Sequence, residues 1–431
     1  MERRKLSREF KLEAVKLVRE QGVSFEHGRS PKSAIVRLSL GLATVGFSLL
    51  FALCVTEVVL RIFPSLISVP VLEHFNSGLR RSVADKLNLS TKSSRRIIPS
   101  SERHDGGPDF YIFEPNRTLI VPVDPNDAQR GGIETVHVDS WGFCNPASAG
   151  SRAKVDVLIL GDSFTFCTAV RPEDTSSAQL EIATGLSTYN LGIPGIGPFE
   201  YVELLRMFGL SKNPKFVVMN IYEGNDIRDA DRFNDYVVHG RQSMDADSMA
   251  GPFAWSYALA FIKAAIEQQV REWRRSTGLD FRYTVGTPAG NMPMNIANQD
   301  RDEVNYSSRL VSGQISPTVI EPALNTFIEL AKVHDFVPLV SFIPSAHTAY
   351  AKSVSFNDEE VGRVVKAGSV IQREWLRNYA FKNGITFIDL ASVFQEAREM
   401  LPISHFPVIV HLTPEGHRLV ADEIAKSITH R

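Results

Sequence analysis

Residues Val155–Cys167 read VDVLILGDSFTFC, and this stretch restricts the possible folds more than any other. Five of the six residues from Val155 to Leu160 are apolar, and the run stops abruptly on Gly161-Asp162-Ser163. A continuous apolar run of this length suits a parallel strand covered on both faces. Gly161 lets the backbone bend sharply, so Ser163 projects from the carboxyl end of the strand, where open α/β sheets place their ligands. By itself Gly-Asp-Ser is also ordinary β-turn composition.

Three later stretches supply context. Tyr189–Gly197 (YNLGIPGIG) is a strand end breaking into a glycine-rich loop. Val217–Asp226 (VVMNIYEGND) is an apolar strand that stops on Gly224-Asn225-Asp226, and His411–His417 reads HLTPEGH. In this order the four stretches resemble the signature blocks of the SGNH (GDSL-type) hydrolase superfamily. Asp139–Pro146 (DSWGFCNP), the SFTF after the turn and HLTPEGHRLVADEI resemble its membrane-anchored bacterial members more narrowly. The resemblance spans roughly residues 109–429. It implies a flavodoxin-like three-layer α/β/α domain with a parallel sheet of about five strands.

The N-terminal part is of a different kind. Residues 1–24 are basic, and Ser7 can cap a helix over residues 8–21 that ends at Gly22. They resemble the start of an insertion-sequence transposase helix-turn-helix protein. The likeness ends before a recognition helix, the element that reads bases. With a net charge of −2 for the whole chain, nucleic acid is not an expected partner. Residues 1–30 are therefore read as a cytoplasmic tail.

Residues 34–62 are read as one transmembrane signal anchor, the chain's contact with the lipid bilayer. Nineteen uncharged residues, Leu38–Thr56, lie between Arg37 and Glu57. At about 1.5 Å per residue they nearly span a hydrocarbon core of about 30 Å. Residues 1–37 carry ten Lys and Arg, so the N-terminus stays in the cytoplasm and the rest lies outside, in the periplasm or beyond.

Residues 63–108 read as a linker or stalk, and 109–431 as the hydrolase-like domain, with a helical and loop insertion at about 240–316. Within the insertion, Phe253, Tyr257, Phe261, Ile262, Ile266, Val270 and Trp273 fall on helical spacing, expected as a core-facing stripe. Residues 276–316 read as a polar loop. The three cysteines fit neither a disulfide scaffold nor a zinc site. Cys144 and Cys167 stand near the Ser163 turn and outside the cytoplasm, where a disulfide is conceivable, and free thiols are their expected state.

Ester cleavage needs a nucleophile, a base and donors aimed at the developing oxyanion. By resemblance, Ser163 is the nucleophile and His411 the base, with the Ser163 and Gly195 N–H groups and the Asn225 amide forming the oxyanion hole. No cofactor and no metal is implied. Asp226 is read as structural, His417 as packing or surface, and His347 as a residue lining the cleft. One departure is serious. The family carries an acid two or three residues before the catalytic histidine, where this chain has Ile409 and Val408. A backbone carbonyl orienting the ring would leave a Ser-His dyad, with Asp389 a distant substitute. A second departure, Glu223 in place of glycine, is expected to alter the loop wall. Two functions follow. One is a membrane-anchored, extracytoplasmic serine esterase, deacetylase or O-acyltransferase acting on an acyl or acetyl ester, envelope carbohydrate among them. The other is an inactive relative that binds glycans or partners.

Overall fold

A computed structural model describes residues 16, 31–67, 72, 75, 77–87, 89–90, 95–122, 133–239, 256–277, 282–287, 290–294, 300–397, 404–405 and 410–429. Apart from residue 16, the transposase-like segment and tail lie outside the described residues, as do Val408 and Ile409. The chain forms two compact units: Met1–Phe63 with Ser256–Leu259, and Pro64–Trp255 with Ala260–Arg431. The first unit is built on a helix, Pro31–Ile62, whose Ser39–Ile62 portion is long and apolar enough to cross a membrane.

In the second unit five strands form one parallel sheet. They are β1 (Val157–Leu160), β2 (Thr188–Asn190), β3 (Phe216–Tyr222), β4 (Val337–Ile343) and β5 (Thr386–Asp389), in the spatial order β2-β1-β3-β4-β5. This is the flavodoxin-like order, with its switch point beside β1. Successive strand residues face opposite sides of the sheet. Leu158 and Leu160 pack with Tyr201, Leu324, Phe327 and Leu376 from helices Pro198–Leu204, Glu321–His334 and Glu359–Asn383. Val157 and Ile159 pack with Leu180, Phe394, Val420 and Ile424 from helices Ser176–Thr184, Leu390–Ala397 and Pro414–Thr429. Both faces are covered, which is why the strands read as unbroken apolar runs. The fold expected from the sequence is the one present.

Four local expectations are corrected. Part of the segment read as a stalk is folded: Ser77–Lys86 is helical, Arg95–Ile98 pairs antiparallel with Phe110–Phe113, and Val83, Ala84 and Ile98 are buried. Its apolar residues are too sparse to show a period, yet they close against partners distant in sequence. The expected polar loop over 276–316 contains a hairpin, Tyr283–Thr287 with Gly290–Met294, and a helix, Asp300–Val311. The stripe on the Tyr257–Ser276 helix is not core, since Phe261, Ile262, Ile266, Val270 and Trp273 are all exposed. Cys144 and Cys167 are joined in a disulfide, Cα to Cα 6.1 Å. Just before Cys144, the Asp139 carboxylate accepts the Trp141 and Phe143 N–H groups in a turn.

Candidate active site

Ser163 follows β1 in a turn fastened by its own neighbour. Asp162 Oδ1 accepts the Phe164 N–H at 2.8 Å, and the Asp162 carbonyl accepts the N–H groups of Thr165 and Phe166. Gly161 has no room for a side chain, because a Cβ there would stand 2.1 Å from Thr165 Oγ1. Beneath the turn runs a buried polar ladder. Ser341 Oγ donates to Asn220 Oδ1, Asn220 Nδ2 to Thr165 Oγ1 and Asn190 Nδ2 to the Thr165 carbonyl. The Asn190 N–H donates in turn to Asn145 Oδ1. Asn145 and Tyr189 both donate to Asp139 Oδ2. These side chains tie β1, β2, β3 and β4 together under Ser163.

His411 arrives from the other end of the chain. Leu412 bridges to His405, the Thr413 N–H donates to the Ser404 carbonyl, and Thr413 Oγ1 accepts the Gly416 N–H at the start of the final helix. These contacts set His411 Nε2 2.9 Å from Ser163 Oγ. The imidazole is 5% exposed and stacks on Phe164, ring centroids 4.7 Å apart. Phe164 stacks in turn on Tyr222 at 3.6 Å. The residue next to Ser163 thus fixes the plane of the ring facing it, a contact invisible in the sequence. Val410, just before His411, has φ +49°, where a β-branched residue carries strain of about 1–2 kcal/mol.

The remaining expected residues fall as follows. Gly195 is exposed at φ +79°, a backbone conformation that favours glycine, with open space where a side chain would stand. Asn225 is half-buried, but its Nδ2 donates to Asp229 Oδ2 at 2.8 Å and its amide lies beside the Asp162 carboxylate. Asp226 is fully buried, accepting from Tyr201 Oη and the Tyr222 N–H, as befits a structural residue. His417 is packing: its Nδ1 accepts the Ser176 N–H, and burial pushes its pKa down to about 3. Asp389 has both oxygens engaged by Arg373 and Arg377, which makes it a poor substitute acid.

Two expectations about the cleft wall change. His347 is buried at 3% exposure, its Nε2 3.0 Å from Glu303 Oε1. Glu223 turns inward rather than walling the loop, accepting from the Ser345 N–H and Thr348 Oγ1, both at 2.8 Å. Burial, with the neighbouring Glu303, raises its pKa despite the His347 charge. Beside Ser163, burial pushes Asp162 up to about 7, and Asp229 adds to the effect. Among the described residues no group of His, Cys, Asp or Glu is arranged to hold a metal ion.

No protein-family model and no curated protein matches this chain. Solved structures do. One is a lipolytic protein of the G-D-S-L family from Desulfitobacterium hafniense DCB-2, with 14% identity over 63% of this chain and 99% of that one, TM-score 0.35. Another is an acetyl xylan esterase, with 15% identity over 64% and 100% of the two chains, TM-score 0.32. A third is a carbohydrate acetylesterase family member from Sinorhizobium meliloti, with 14% identity over 64% and 98%, TM-score 0.32.

Proposed function

We propose that this chain is an SGNH-type serine ester hydrolase or O-acyltransferase, held in the bacterial cell membrane by residues 34–62 with its catalytic domain outside the cytoplasm. The observation that carries the reading is the 2.9 Å approach of His411 Nε2 to Ser163 Oγ at the carboxyl end of β1. At that distance the imidazole can accept the hydroxyl proton as Oγ attacks an ester carbonyl carbon. The resulting oxyanion is received by the Ser163 and Gly195 N–H groups. Asn225 joins them once its amide turns from Asp229. Collapse returns the proton from His411 to the departing alcohol and leaves an acyl group on Ser163. Water entering next gives hydrolysis, and a sugar hydroxyl gives acyl transfer. An acetylated envelope carbohydrate fits this chemistry. The Cys144–Cys167 disulfide supports an oxidising compartment.

The test is a fluorophosphonate probe applied to the full-length protein in membranes. A single adduct on Ser163, absent in His411→Ala, is expected together with turnover of a small acetyl ester. A folded protein that neither reacts nor turns over ester would overturn the enzyme reading. It would favour the second one, a cleft that binds glycans or partners, for which the missing acid at Val408 and Ile409 argues. For topology, a reporter fused after Arg431 should be active only outside the cytoplasm; cytoplasmic activity would reverse the orientation.

A further inference from the structure

The loop that carries Gly195 is fixed on both sides, and one fixing reaches back to the segment read as a stalk. Before Gly195 the Ile193 N–H donates to the Gly161 carbonyl at 3.1 Å; after it the Gly197 N–H donates to Glu200 Oε2, also at 3.1 Å. Gly197 packs against the helix Asp226–His239, which begins at the residue after Asn225: a Cβ on Gly197 would stand 3.0 Å from Asp229 Cβ. The other oxygen of Glu200 accepts from Arg103 Nη1 at 3.1 Å. That arginine side chain is fully buried, and it also donates from Nε to Asp105 Oδ1 at 2.7 Å and from Nη1 to the Pro108 carbonyl at 2.8 Å. Its guanidinium lies 5.0 Å and 5.2 Å from the Phe110 and Phe233 ring centroids.

We infer that Glu200 is a positioning residue for the oxyanion hole: seated by Arg103, it holds the Gly197 N–H and thereby aims the Gly195 N–H at the carbonyl oxygen of an ester bound at Ser163. The inference rests on the reading of Ser163 as nucleophile and Gly195 as oxyanion donor. A glutamate at the third position of a helix that reaches back to the residue before the helix is an ordinary cap, and for capping alone an exposed carboxylate serves. Glu200 and Arg103 are instead both buried, which is costly unless the geometry they specify is needed. Arg103 comes from 97 residues earlier in the chain, so the pair joins the lead-in segment to the catalytic loop. An oxyanion donor acts by its placement. Gly195 is exposed and has no side chain to anchor it, so its direction is set by the fixed residues on either side.

The experiment compares kcat/KM of the full-length protein for a small acetyl ester and for the matching thionoester, in which sulfur replaces the carbonyl oxygen. Sulfur accepts hydrogen bonds poorly, so the ratio of the two rates reports the oxyanion donors and does not depend on how much of the protein is folded. Glu200→Met fills the same space without an acceptor and should lower the oxygen-to-sulfur ratio about tenfold, against roughly 10²–10³ where a donor is removed outright. Glu200→Gln keeps an oxygen for the Gly197 N–H and should stay within about twofold of the parent. If Glu200→Met does not fold, Arg103→Met/Glu200→Met replaces the whole buried pair, strands no guanidinium and should show the same fall. An unchanged ratio in the folded Met variant, with the parent active, overturns the inference and spares the esterase reading. An equal fall in Glu200→Gln also overturns it, since acceptance of the Gly197 N–H is then not what matters. A parent that turns over neither ester and takes no fluorophosphonate on Ser163 overturns both.

Discussion

His411 and His347 make the same kind of contact in different surroundings. Nε2 of the first lies 2.9 Å from Ser163 Oγ, and Nε2 of the second lies 3.0 Å from Glu303 Oε1. The two sites share a wall. Tyr222 stacks on Phe164, which stacks on His411, while the Tyr222 hydroxyl accepts a hydrogen bond from Ser345 in the His347 cluster. Around His347 everything is sealed: Glu303, Glu223, Ser345 and Thr348 are all buried. Burial pulls the His347 pKa down, but the Glu303 hydrogen bond and the charges of Glu303 and Glu223 raise it above its ordinary value. That is an ion pair with no route for a substrate. Ser163 is only half-buried and stands at the carboxyl end of β1. A histidine and an oxygen at 3 Å make a reactive pair only where the oxygen can meet a substrate.

The comparison breaks most sharply at Ser163. Ser163→Ala should lower turnover of an acetyl ester by about 10²-fold or more, since a site without the acid has already lost most of what the triad adds. Thr348→Ala, which removes the hydroxyl 3.2 Å from Nδ1 of the other histidine, should leave kcat close to the parent. A comparable loss from both, in folded protein, would mean that Ser163 is not the nucleophile.

Stability should respond the other way round. Removing one member of a buried pair strands the other's charge, at a cost of about 3–5 kcal/mol. Glu303→Ala should therefore lower the denaturant midpoint far more than Ser163→Ala does. The Glu303→Ala/His347→Ala double variant should be less destabilised than the sum of the singles. Additive losses would show that the two side chains are not coupled.

Asp162 offers a pH test between the two sites. It ionises near 3.8 in the unfolded chain and near 7 in the fold. The folded protein therefore binds the extra proton between those values. The stability contributed by that proton is complete below about pH 4, declines as pH rises to about 7, and is flat above it. Asp162→Asn cannot ionise and still accepts the Phe164 N–H, so its stability relative to the parent should improve as pH rises through that window. Parallel profiles for the two proteins would place Asp162 outside this titration.

How much of this was legible beforehand follows from how local each signal is. β1 and its Gly-Asp-Ser turn, the YEGND strand end and HLTPEGH each lie within about a dozen residues, so strand, turn and cap chemistry could be read directly. Phe164 against His411, and the ladder from Ser341 to Asp139, join residues from distant parts of the chain, and no periodicity encodes them. Glu303 sits in a segment whose polar composition reads as loop, although a buried face of Glu303, Tyr306, Ser307 and Leu310 makes it a helix. The Tyr257–Ser276 stripe shows the reverse failure. Helical spacing revealed an apolar face but not what lies against it. The Cys144–Cys167 bond is likewise not predicted by spacing alone.

The smallest effect expected is also the one that sharpens the contrast between the histidines. His347 has a carboxylate in Glu303, whereas the residue two before His411 is Ile409, and no acid stands within the three residues before that histidine. Such an acid holds the imidazole in the tautomer that accepts the serine proton and stabilises the imidazolium; its loss from a serine triad costs roughly 10⁴ in kcat. Ile409→Asp should therefore raise turnover of a small acetyl ester. The gain should fall well short of that figure, because a carboxylate at a position not built around it gains only part of the orientation that a triad acid provides. An increase of about tenfold, equivalent to about 1.4 kcal/mol of transition-state stabilisation, is the expected outcome. Ser163→Ala in the same background should abolish it. If the variant folds normally and gains nothing while the parent turns over through His411, the ring is already oriented by another group. A Ser-His pair without a neighbouring acid is then the complete machinery of this site.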